Sequence, residues 1–287
     1  MSEVAVKIRH LQISDIREAM KLVVAESWNQ TEKDWELLIS GDGNICLAAE
    51  IDGRLVATAT AINYDNIVAW IGMVLVNKKQ RGRGISKLLL NALFEKLKTC
   101  QSIKLDATPA GQPVYKKLGF SDEYSISRMV NKAVNVEAEA ASKLIPQKIK
   151  ETDVAEIINF ARRVFGAGRS GLIRILIKEN QNKSLLLKES NKITGFVLGR
   201  MGNRFYQIGP LSASNKDVAI ALVLAVLKEL EGVPVVVDVP DDKQELIDWL
   251  SSIGFEKRRF FIRMFQHENR FPGEVESYYL IGGPEFG

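Results

Sequence analysis

Apolar and polar positions follow the same succession of elements twice along the chain. Stretches rich in β-branched residues predict strands, and apolar residues at helical spacing predict helices. In the first half we expect strands at 4–9, 44–50, 54–62, 67–76, 103–107 and 120–130, and helices starting near Ser14, after Thr31, and at 84–98 and 110–118. In the second half we expect strands at 183–188, 192–200, 204–211, 233–238 and 255–266, and helices at 153–165, 170–180, 215–230 and 242–253. This succession predicts an α/β fold of the α+β type, built on mixed sheets.

Local signals refine some of these boundaries. Asp52-Gly53 suits a two-residue hairpin turn. Asp242 and Glu245 stand in the relation of a capping box at the start of a helix. Ser214 or Asn215 is expected to cap the helix at 215–230. The closing segment, YYLIGGPEFG, predicts a late strand followed by a glycine-rich tail.

Ordered coincidences indicate that the two halves are repeats. Each half has a short apolar strand carrying an Asp near its end, then a Gly-Phe pair, then an Arg-Met pair at a constant distance from the Gly-Phe. These features lie at 103–107, 119–120 and 128–129, and again at 235–239, 254–255 and 263–264. We therefore expect one domain at 1–132 and a second at 146–287, joined by an Ala- and Glu-rich linker at 133–145.

Composition narrows the function classes. The 287 residues suit two domains, and a net charge of +4 is too mild to indicate nucleic-acid binding. With two cysteines and two histidines, the chain shows no zinc or disulfide pattern, so no metal is expected. His10 and His267 are expected at the surface. The longest apolar run, 219–227, is too short to span a bilayer, and no signal peptide is evident, so we expect a soluble cytoplasmic protein without membrane partners.

The most informative segment is 70–86, WIGMVLVNKKQRGRGIS, in which an apolar strand runs into a basic, glycine-spaced loop that opens a helix. Gly82 and Gly84 allow positive φ and let an anion approach the main chain. The helix N-terminus adds unpaired N–H groups and partial positive charge. This pattern predicts a diphosphate-binding loop, although the spacing is neither GxxxxGK[ST] nor GxGxxG. A basic solvated turn is the alternative. The nearby cations, which attract polyanions, are Lys78, Lys79, Arg81 and Arg83.

The loop 81–86, RGRGIS, resembles the acetyl-CoA pyrophosphate loop of the GCN5-related N-acetyltransferase (GNAT) superfamily, written R/Q-x-x-G-x-G/A, with Ser86 departing from the last position. Residues 111–120, GQPVYKKLGF, resemble the family's AxxxYxxxGF element. Residues 28–35 and the strand WIGMVLV resemble a bacterial subfamily that joins two such domains in tandem. The resemblance covers nearly all of 4–130 and is weaker over 145–287.

The resemblance implies acetyl-CoA as cosubstrate and an acetyl group passed to an amine. Its pantetheine arm would lie along the fourth strand, where that strand parts from the fifth. The implied cofactor-binding residues are Met73, Val74, Leu75, Val76, Arg81, Gly82, Arg83, Gly84, Ile85, Ser86, Thr108 and Tyr115. Main-chain N–H groups of the fourth strand would polarise the thioester carbonyl. Tyr115 would protonate the departing thiolate, since a phenol is protonated at neutral pH; a purely structural ring is the alternative.

Attack requires a neutral amine, and deprotonating a lysine-like amine at neutral pH costs about 4–5 kcal/mol. Many family members place a Glu on the fourth strand, and this chain has no carboxylate there. Asp106 is the best replacement as general base, and a cap of the turn before Thr108-Pro109 is the alternative. Weaker candidates for the base are Glu26, Glu50 and Asp65.

The acceptor is expected to be a small-molecule or peptide amine, and its identity and the oligomeric state stay open. By resemblance, Trp28 and Asn29 are candidate acceptor residues, and Trp35 is a further guess beside ordinary core packing. The second half has Leu250 where Tyr115 stands and SASNKDVA where the glycine loop stands. We therefore expect a degenerate second domain and one acetyl-CoA site. A non-catalytic acetyl-CoA sensor and an interaction module are the alternative functions.

Overall fold

The computed structural model describes residues 5–135 and 144–287, and the chain divides into two compact units. The first unit comprises the chain up to Leu105 together with Gly202–Arg204, and the second comprises Asp106–Met201 and Phe205–Gly287. This boundary falls inside a strand, whereas the sequence predicts a division near residue 132. Of the predicted linker, 136–143 lies outside the described residues.

The first unit is built on a sheet with the strand order β1-β2-β3-β4-β5. The strands are β1 (Lys7–His10), β2 (Ile45–Ile51), β3 (Arg54–Tyr64), β4 (Val68–Val76) and β5 (Ser102–Ala107), whose last two residues belong to the second unit. Neighbours are antiparallel except β4 and β5, which run parallel. Helices α1 (Ile16–Ala25), α2 (Glu32–Ser40) and α3 (Ile85–Lys96) accompany the sheet.

The second unit has a sheet with the order β12-β6-β11-β10-β9-β8-β7, and β13 pairs with β10. The strands are β6 (Phe120–Asn131), β7 (Gln147–Lys148), β8 (Leu185–Glu189), β9 (Lys192–Met201), β10 (Tyr206–Ala213), β11 (Val235–Pro240), β12 (Glu256–Gln266) and β13 (Tyr278–Leu280). The helices are α4 (Gln112–Lys116), α5 (Val154–Phe165), α6 (Ser170–Glu179), α7 (Lys216–Lys228) and α8 (Gln244–Ser252). The core surrounds α7, whose residues are apolar on nearly every face.

Local chemistry explains where several elements begin. Thr31 and Asp34 form a reciprocal capping box at the start of α2, which confirms the helix predicted after Thr31. Helix α1 begins at Ile16, close to the expected start near Ser14. In the turn before it, the Asp15 carboxylate accepts a hydrogen bond from the Gln12 N–H at 2.8 Å. The predicted cap of α7 is also confirmed, because the side chain of Asn215 accepts a hydrogen bond from the main chain of the first turn.

Of the predicted hairpin turn and the predicted capping box, one is confirmed and one is wrong. Asp52 and Gly53 both have positive φ, at +51° and +72°, as a two-residue hairpin turn requires, so that prediction is confirmed. The capping box predicted at Asp242 and Glu245 is wrong. Helix α8 begins at Gln244 without a side-chain cap, because the Asp242 carboxylate pairs with Lys243 and Glu245 reaches across to Lys216.

The final strands of the two repeats are exchanged in their pairing. Strand β6, which ends the first repeat in sequence, pairs antiparallel with both β11 and β12 of the second repeat. Two ion pairs between repeats accompany the exchange. The Asp106 carboxylate accepts hydrogen bonds from Nε and Nη2 of Arg263, both at 2.9 Å. The Asp238 carboxylate accepts hydrogen bonds from Nε and Nη2 of Arg128, both at 2.7 Å. The Asp of each repeat is thus neutralised by the Arg of the other.

The predicted linker is packed at its start. Val134 is buried, and it exchanges main-chain hydrogen bonds with Gly232 and Val233 just before β11. The predicted late strand near the end of the chain is confirmed as β13.

Candidate active site

Strand β4 contains a β-bulge at the centre of the predicted cofactor-binding segment. The pairing with β3 moves from Gly72 to Leu75 while β3 advances by only two residues, so Met73 and Val74 together oppose one β3 residue. Met73 has φ +50°, a left-handed value that is uncommon for a residue with a side chain. The hydroxyl of Thr58 on β3 donates a hydrogen bond to the Met73 carbonyl oxygen at 2.8 Å.

Strands β4 and β5 part just before this bulge. Their parallel ladder runs from the pair Val68–Ser102 to the pair Ile71–Leu105. Strand β4 continues to Val76 with no further β5 partner among the described residues. The main chain of 72–76 therefore forms an edge to which an extended ligand can add as a strand would. Of the four β4 residues predicted to bind the cofactor, Met73 and Leu75 are buried, and Val74 and Val76 are partly exposed.

The glycine loop has the backbone that the sequence predicts. Gly82 has φ +78° and Gly84 has φ +75°, and a Cβ built on either glycine would meet no atom within 4 Å. Gly84 is the N-cap of α3, so the first N–H groups of that helix open beside this space. Ile85 is buried, and Ser86 is partly exposed at the first turn. These features fit a diphosphate, because the donors converge where no side chain stands.

The basic residues of the loop are solvent-exposed and partly paired. Arg81 donates to the Glu26 carboxylate at 2.6 Å, and Lys78 lies 3.7 Å from the same oxygen. Arg83 donates to the Gln80 side chain. Glu26 was a weaker candidate for the general base, and the structure places it as a partner of the loop cations.

Tyr115 lies on the short helix α4 in the second unit. Its ring is partly exposed and packs edge-on against Phe120, with centroids 5.8 Å apart. Burial of the hydroxyl raises the pKa of Tyr115 above its ordinary value. Thr108 starts the turn into α4, and its hydroxyl accepts a hydrogen bond from the Gly111 N–H at 3.2 Å. This contact gives Thr108 a structural role in the turn, and its predicted contact with the cofactor stays a prediction.

Asp106 is held in a structural ion pair. Its side chain is 0% exposed and that of Arg263 is 4% exposed. The third guanidinium nitrogen of Arg263 donates to the Tyr124 hydroxyl at 2.6 Å. Burial raises the pKa of Asp106, and the Arg263 charge opposes that shift. Because this carboxylate is fully buried and already paired with a guanidinium, an incoming amine cannot readily reach it, so the geometry disfavours Asp106 as the general base.

The remaining carboxylate candidates lie away from the β4 edge. Glu50 accepts a hydrogen bond from the Nε of Arg9 at 2.7 Å, at the β1–β2 edge. Asp65 is exposed in the β3–β4 turn with φ +57°. Neither side chain lies on the β4 edge.

The predicted acceptor residues have different surroundings. Asn29 is buried, and its side-chain oxygen accepts a hydrogen bond from the Arg204 N–H at 3.0 Å, while its carbonyl accepts one from Asn203 at 2.7 Å. Asn29 therefore holds the 202–204 loop within the first unit. Trp35 is fully buried as a core residue, and Trp28 is partly exposed.

The second unit has the same parting of strands as the first. The parallel ladder of β10 and β11 ends at the pair Ile208–Val237, and Gly209 follows Ile208 just as Gly72 follows Ile71. The register between β9 and β10 also shifts directly after Ile208. This correspondence of Ile-Gly pairs could have been read from the sequence.

In the second unit, however, the chain itself occupies the parted edge. Strand β13 pairs antiparallel with β10, with Leu280 opposite Leu211. The Ile281 N–H then donates to the Asp238 carbonyl of β11 at 3.1 Å, so the segment bridges both parted strands. A Cβ on Gly209 would lie 2.0 Å from the Ile281 carbonyl oxygen, which shows how closely the segment approaches β10.

Buried cations fix the residues after β13. Arg200 donates to the Gly282 carbonyl at 2.6 Å and pairs with Glu285. Arg169 donates to the Gly287 carbonyl at 2.8 Å, and Phe286 is 1% exposed. Residues 278–287, called the closing segment below, are therefore part of the core of the second unit.

Sequence reasoning missed Thr58, the bulge at Met73 and the closing segment's position. No local signal marks the bulge, since neither Met73 nor its neighbour Val74 favours positive φ. Among the described residues, no cluster of three or more His, Cys, Asp or Glu side chains could hold a metal, and no helix has the length and apolarity needed to cross a bilayer.

The first unit thus combines a bulged strand that is open along one edge with a glycine loop at a helix N-terminus. Family comparison assigns both halves to the same family. Residues 11–120 match the acetyltransferase (GNAT) family, and residues 157–280 match an acetyltransferase (GNAT) domain. The chain belongs to the GNAT superfamily, carries two of its domains in tandem, and is an acyl-CoA-dependent N-acyltransferase.

Individual relatives extend over most of the chain. Holothin acyltransferase of Pseudoalteromonas sp. is 26% identical over 267 residues, covering 92% of this chain and 88% of that protein. An uncharacterized N-acetyltransferase of Bacillus subtilis is 25% identical over 224 residues, covering 76% and 72%. Among solved structures, a candidate acetyltransferase of Pyrococcus horikoshii has a TM-score of 0.79 at 22% identity, covering 100% of this chain and 98% of that one. A GCN5-related N-acetyltransferase of Sphaerobacter thermophilus has a TM-score of 0.66 at 12% identity, covering 91% and 95%.

Proposed function

We propose that this protein transfers an acetyl group from acetyl-CoA to the primary amine of a small molecule or peptide. The observation that carries the proposal is the open β4 edge at 72–76 leading directly into the glycine loop and the N-terminus of α3. The edge suits the pantetheine arm, and Gly82 and Gly84 leave room for the diphosphate. We further propose that the reaction takes place in the cytoplasm.

Tyr115 is proposed as the general acid because of its position in the AxxxYxxxGF-like element. Since burial raises its pKa, the phenol stays protonated throughout the neutral and mildly alkaline range and has a proton to give to the leaving thiolate. Because Tyr115 does not ionise in that range, it produces no loss of rate there. The rate should instead rise about tenfold per pH unit below the pKa of the amine, as the neutral amine fraction grows.

One acyl-CoA site per chain is proposed, in the first half. The second half has no paired glycines before α7, where Asn215 caps the helix instead. Its parted edge along β10 is filled by the closing segment. Calorimetric titration with CoA should therefore give one site per chain, and a stoichiometry of two would contradict this proposal.

The decisive experiment is an acetyl-CoA assay against a panel of amines, with thiol release as the readout. The Tyr115→Phe variant should lower kcat about 100-fold, in the range of lost general acid catalysis. Tyr206→Phe is the matched control, because the buried Tyr206 hydroxyl has no hydrogen-bond partner among the described residues and its loss should leave the rate unchanged. Equal rates for Tyr115→Phe and the wild type would remove Tyr115 as the acid.

A non-catalytic acetyl-CoA sensor is the second candidate. The observation in its favour is that Asp106, Glu26 and Glu50 are all engaged in ion pairs, which leaves no candidate carboxylate at the β4 edge. A sensor would bind CoA in the titration and release no thiol with any amine. Thiol release with one amine of the panel would exclude it.

A further inference from the structure

A buried hydroxyl controls the orientation of one peptide group in the proposed site. Thr58 is 0% exposed, and its hydroxyl has one proton, which it donates to the Met73 carbonyl oxygen at 2.8 Å. Thr58 is itself held in the β3–β4 ladder opposite Leu75. The Met73 carbonyl is therefore fixed toward β3 by a donor that cannot move away.

This contact determines the direction of the next N–H group. In a planar trans peptide the C=O of one residue and the N–H of the next point in opposite directions. Because the Met73 carbonyl points toward Thr58 on β3, the Val74 N–H points away from β3. It faces the side of β4 from which β5 has parted after Ile71.

The bulge at Met73 and Val74 allows the Met73 carbonyl to point toward Thr58, and a hydrogen bond is needed to keep it there. Met73 has φ +50°, so the peptide between Met73 and Val74 departs from the regular strand. Regular strand geometry would return this peptide to the β3 ladder. The Thr58 hydrogen bond is the contact that holds the peptide in the irregular orientation.

We infer that Thr58 is a positioning residue for acyl transfer: it aims the Val74 N–H at the acyl carbonyl of the donor, where that N–H stabilises the negative charge that develops on the oxygen. The inference rests on the proposed function, since it needs an acyl-CoA on the β4 edge. Thr58 does not touch the substrate and acts only through the main chain of β4.

The test compares three variants of the full chain. Thr58→Val keeps the shape and removes the donor, so kcat should fall about 10- to 100-fold, as for a misplaced oxyanion donor, while the KM for acetyl-CoA stays within about threefold. Thr58→Ser restores the hydroxyl and should restore kcat. Thr60→Val is the matched control, because Thr60 lies two residues along the same strand, is equally buried, and its hydroxyl has no partner among the described residues.

A spectroscopic readout separates positioning from general loss of structure. The infrared carbonyl band of acetyl-CoA labelled with ¹³C at the thioester should shift to lower frequency on binding to the wild type and to Thr60→Val. In Thr58→Val, the band should lie close to its position in solution. An unshifted band in the wild type, or the same shift in Thr58→Val, would overturn the inference.

Two further arms keep the test decisive. If Thr58→Val does not fold, Thr58→Ser and Thr58→Cys form a graded pair, because a thiol is a weak donor; equal kcat values for the two would count against the inference. If the wild type binds CoA but acetylates no amine, the proposed function fails, and the infrared comparison still decides the role of Thr58.

Discussion

Replacing Arg263 by Met should destabilise the protein strongly while removing only one side chain's charge. The Asp106 carboxylate would stay fully buried after losing two hydrogen bonds of 2.9 Å, and the Tyr124 hydroxyl would lose its 2.6 Å donor. Breaking a buried pair on one side costs about 3–5 kcal/mol. For units of this size, that corresponds to a loss of about 6–20 °C in Tm.

The assay is chemical and thermal denaturation of the full chain, followed by circular dichroism. The double variant Asp106→Leu/Arg263→Met removes both charges and should recover most of the lost stability, since apolar replacement of a buried pair is often neutral. The control is Glu18→Gln, which breaks an exposed pair with Lys21 and should cost less than about 1 kcal/mol.

The pH dependence provides an independent check. Burial raises the pKa of Asp106, and in Arg263→Met no guanidinium opposes that shift, so the folded-state pKa lies further above the unfolded value near 3.9. A carboxyl with a raised folded pKa contributes no penalty below the unfolded pKa and loses stability as pH rises toward the folded pKa. The stability difference between wild type and variant should therefore widen from about pH 4 upward. A variant as stable as the wild type at pH 8, or a difference that narrows with rising pH, would refute the reasoning.

Three further substitutions test the glycine loop, the closing segment and the α2 cap. Gly84→Ala should raise the Kd for CoA at least tenfold in calorimetry, because it forces a side chain to φ +75° and places a Cβ in the proposed diphosphate space; an unchanged Kd would place the diphosphate elsewhere. Gly209→Ala should lower the Tm by several degrees and make residues after Tyr278 sensitive to protease, because its Cβ meets the Ile281 carbonyl; unaltered proteolysis would mean the segment accommodates the methyl group. Thr31→Ala should lower the free energy of unfolding by about 1 kcal/mol through loss of the α2 cap, as measured by urea denaturation, and no loss would mean that Asp34 alone caps the helix.

Local features of the fold were predictable because their causes lie within a few residues. The helix start after Thr31 and the turn at Asp52-Gly53 depend on contacts three residues apart or fewer, and both predictions are confirmed. The glycines of the loop at 82 and 84 were expected to adopt positive φ, and they do. A capping box needs side chains that are not already paired. Lys216 of α7 pairs with the Glu245 carboxylate, and the local sequence around Glu245 did not reveal that partner.

The features that sequence reasoning missed depend on partners far along the chain. Asp106 was expected to be a general base or a turn cap, since its neighbours in sequence give no sign of Arg263, 157 residues away. The bulge at Met73 is supported by Thr58, 15 residues earlier on another strand. The roles of Tyr115 and of the glycine loop in catalysis stay predictions, because they depend on a ligand and not on the fold alone.

The closing segment gives the two halves different relations to their surroundings. A site that binds a soluble ligand adds RT ln(1 + [L]/Kd) to the free energy of unfolding, where [L] is the ligand concentration. On the proposed function, the stability of the first half should therefore increase with the concentration of acyl-CoA. In the second half the corresponding edge is filled by the closing segment, which belongs to the same chain, so its occupancy does not depend on the concentration of any ligand. If the proposed site is correct, heating with and without CoA should shift the thermal transition of the first half and leave that of the second half in place.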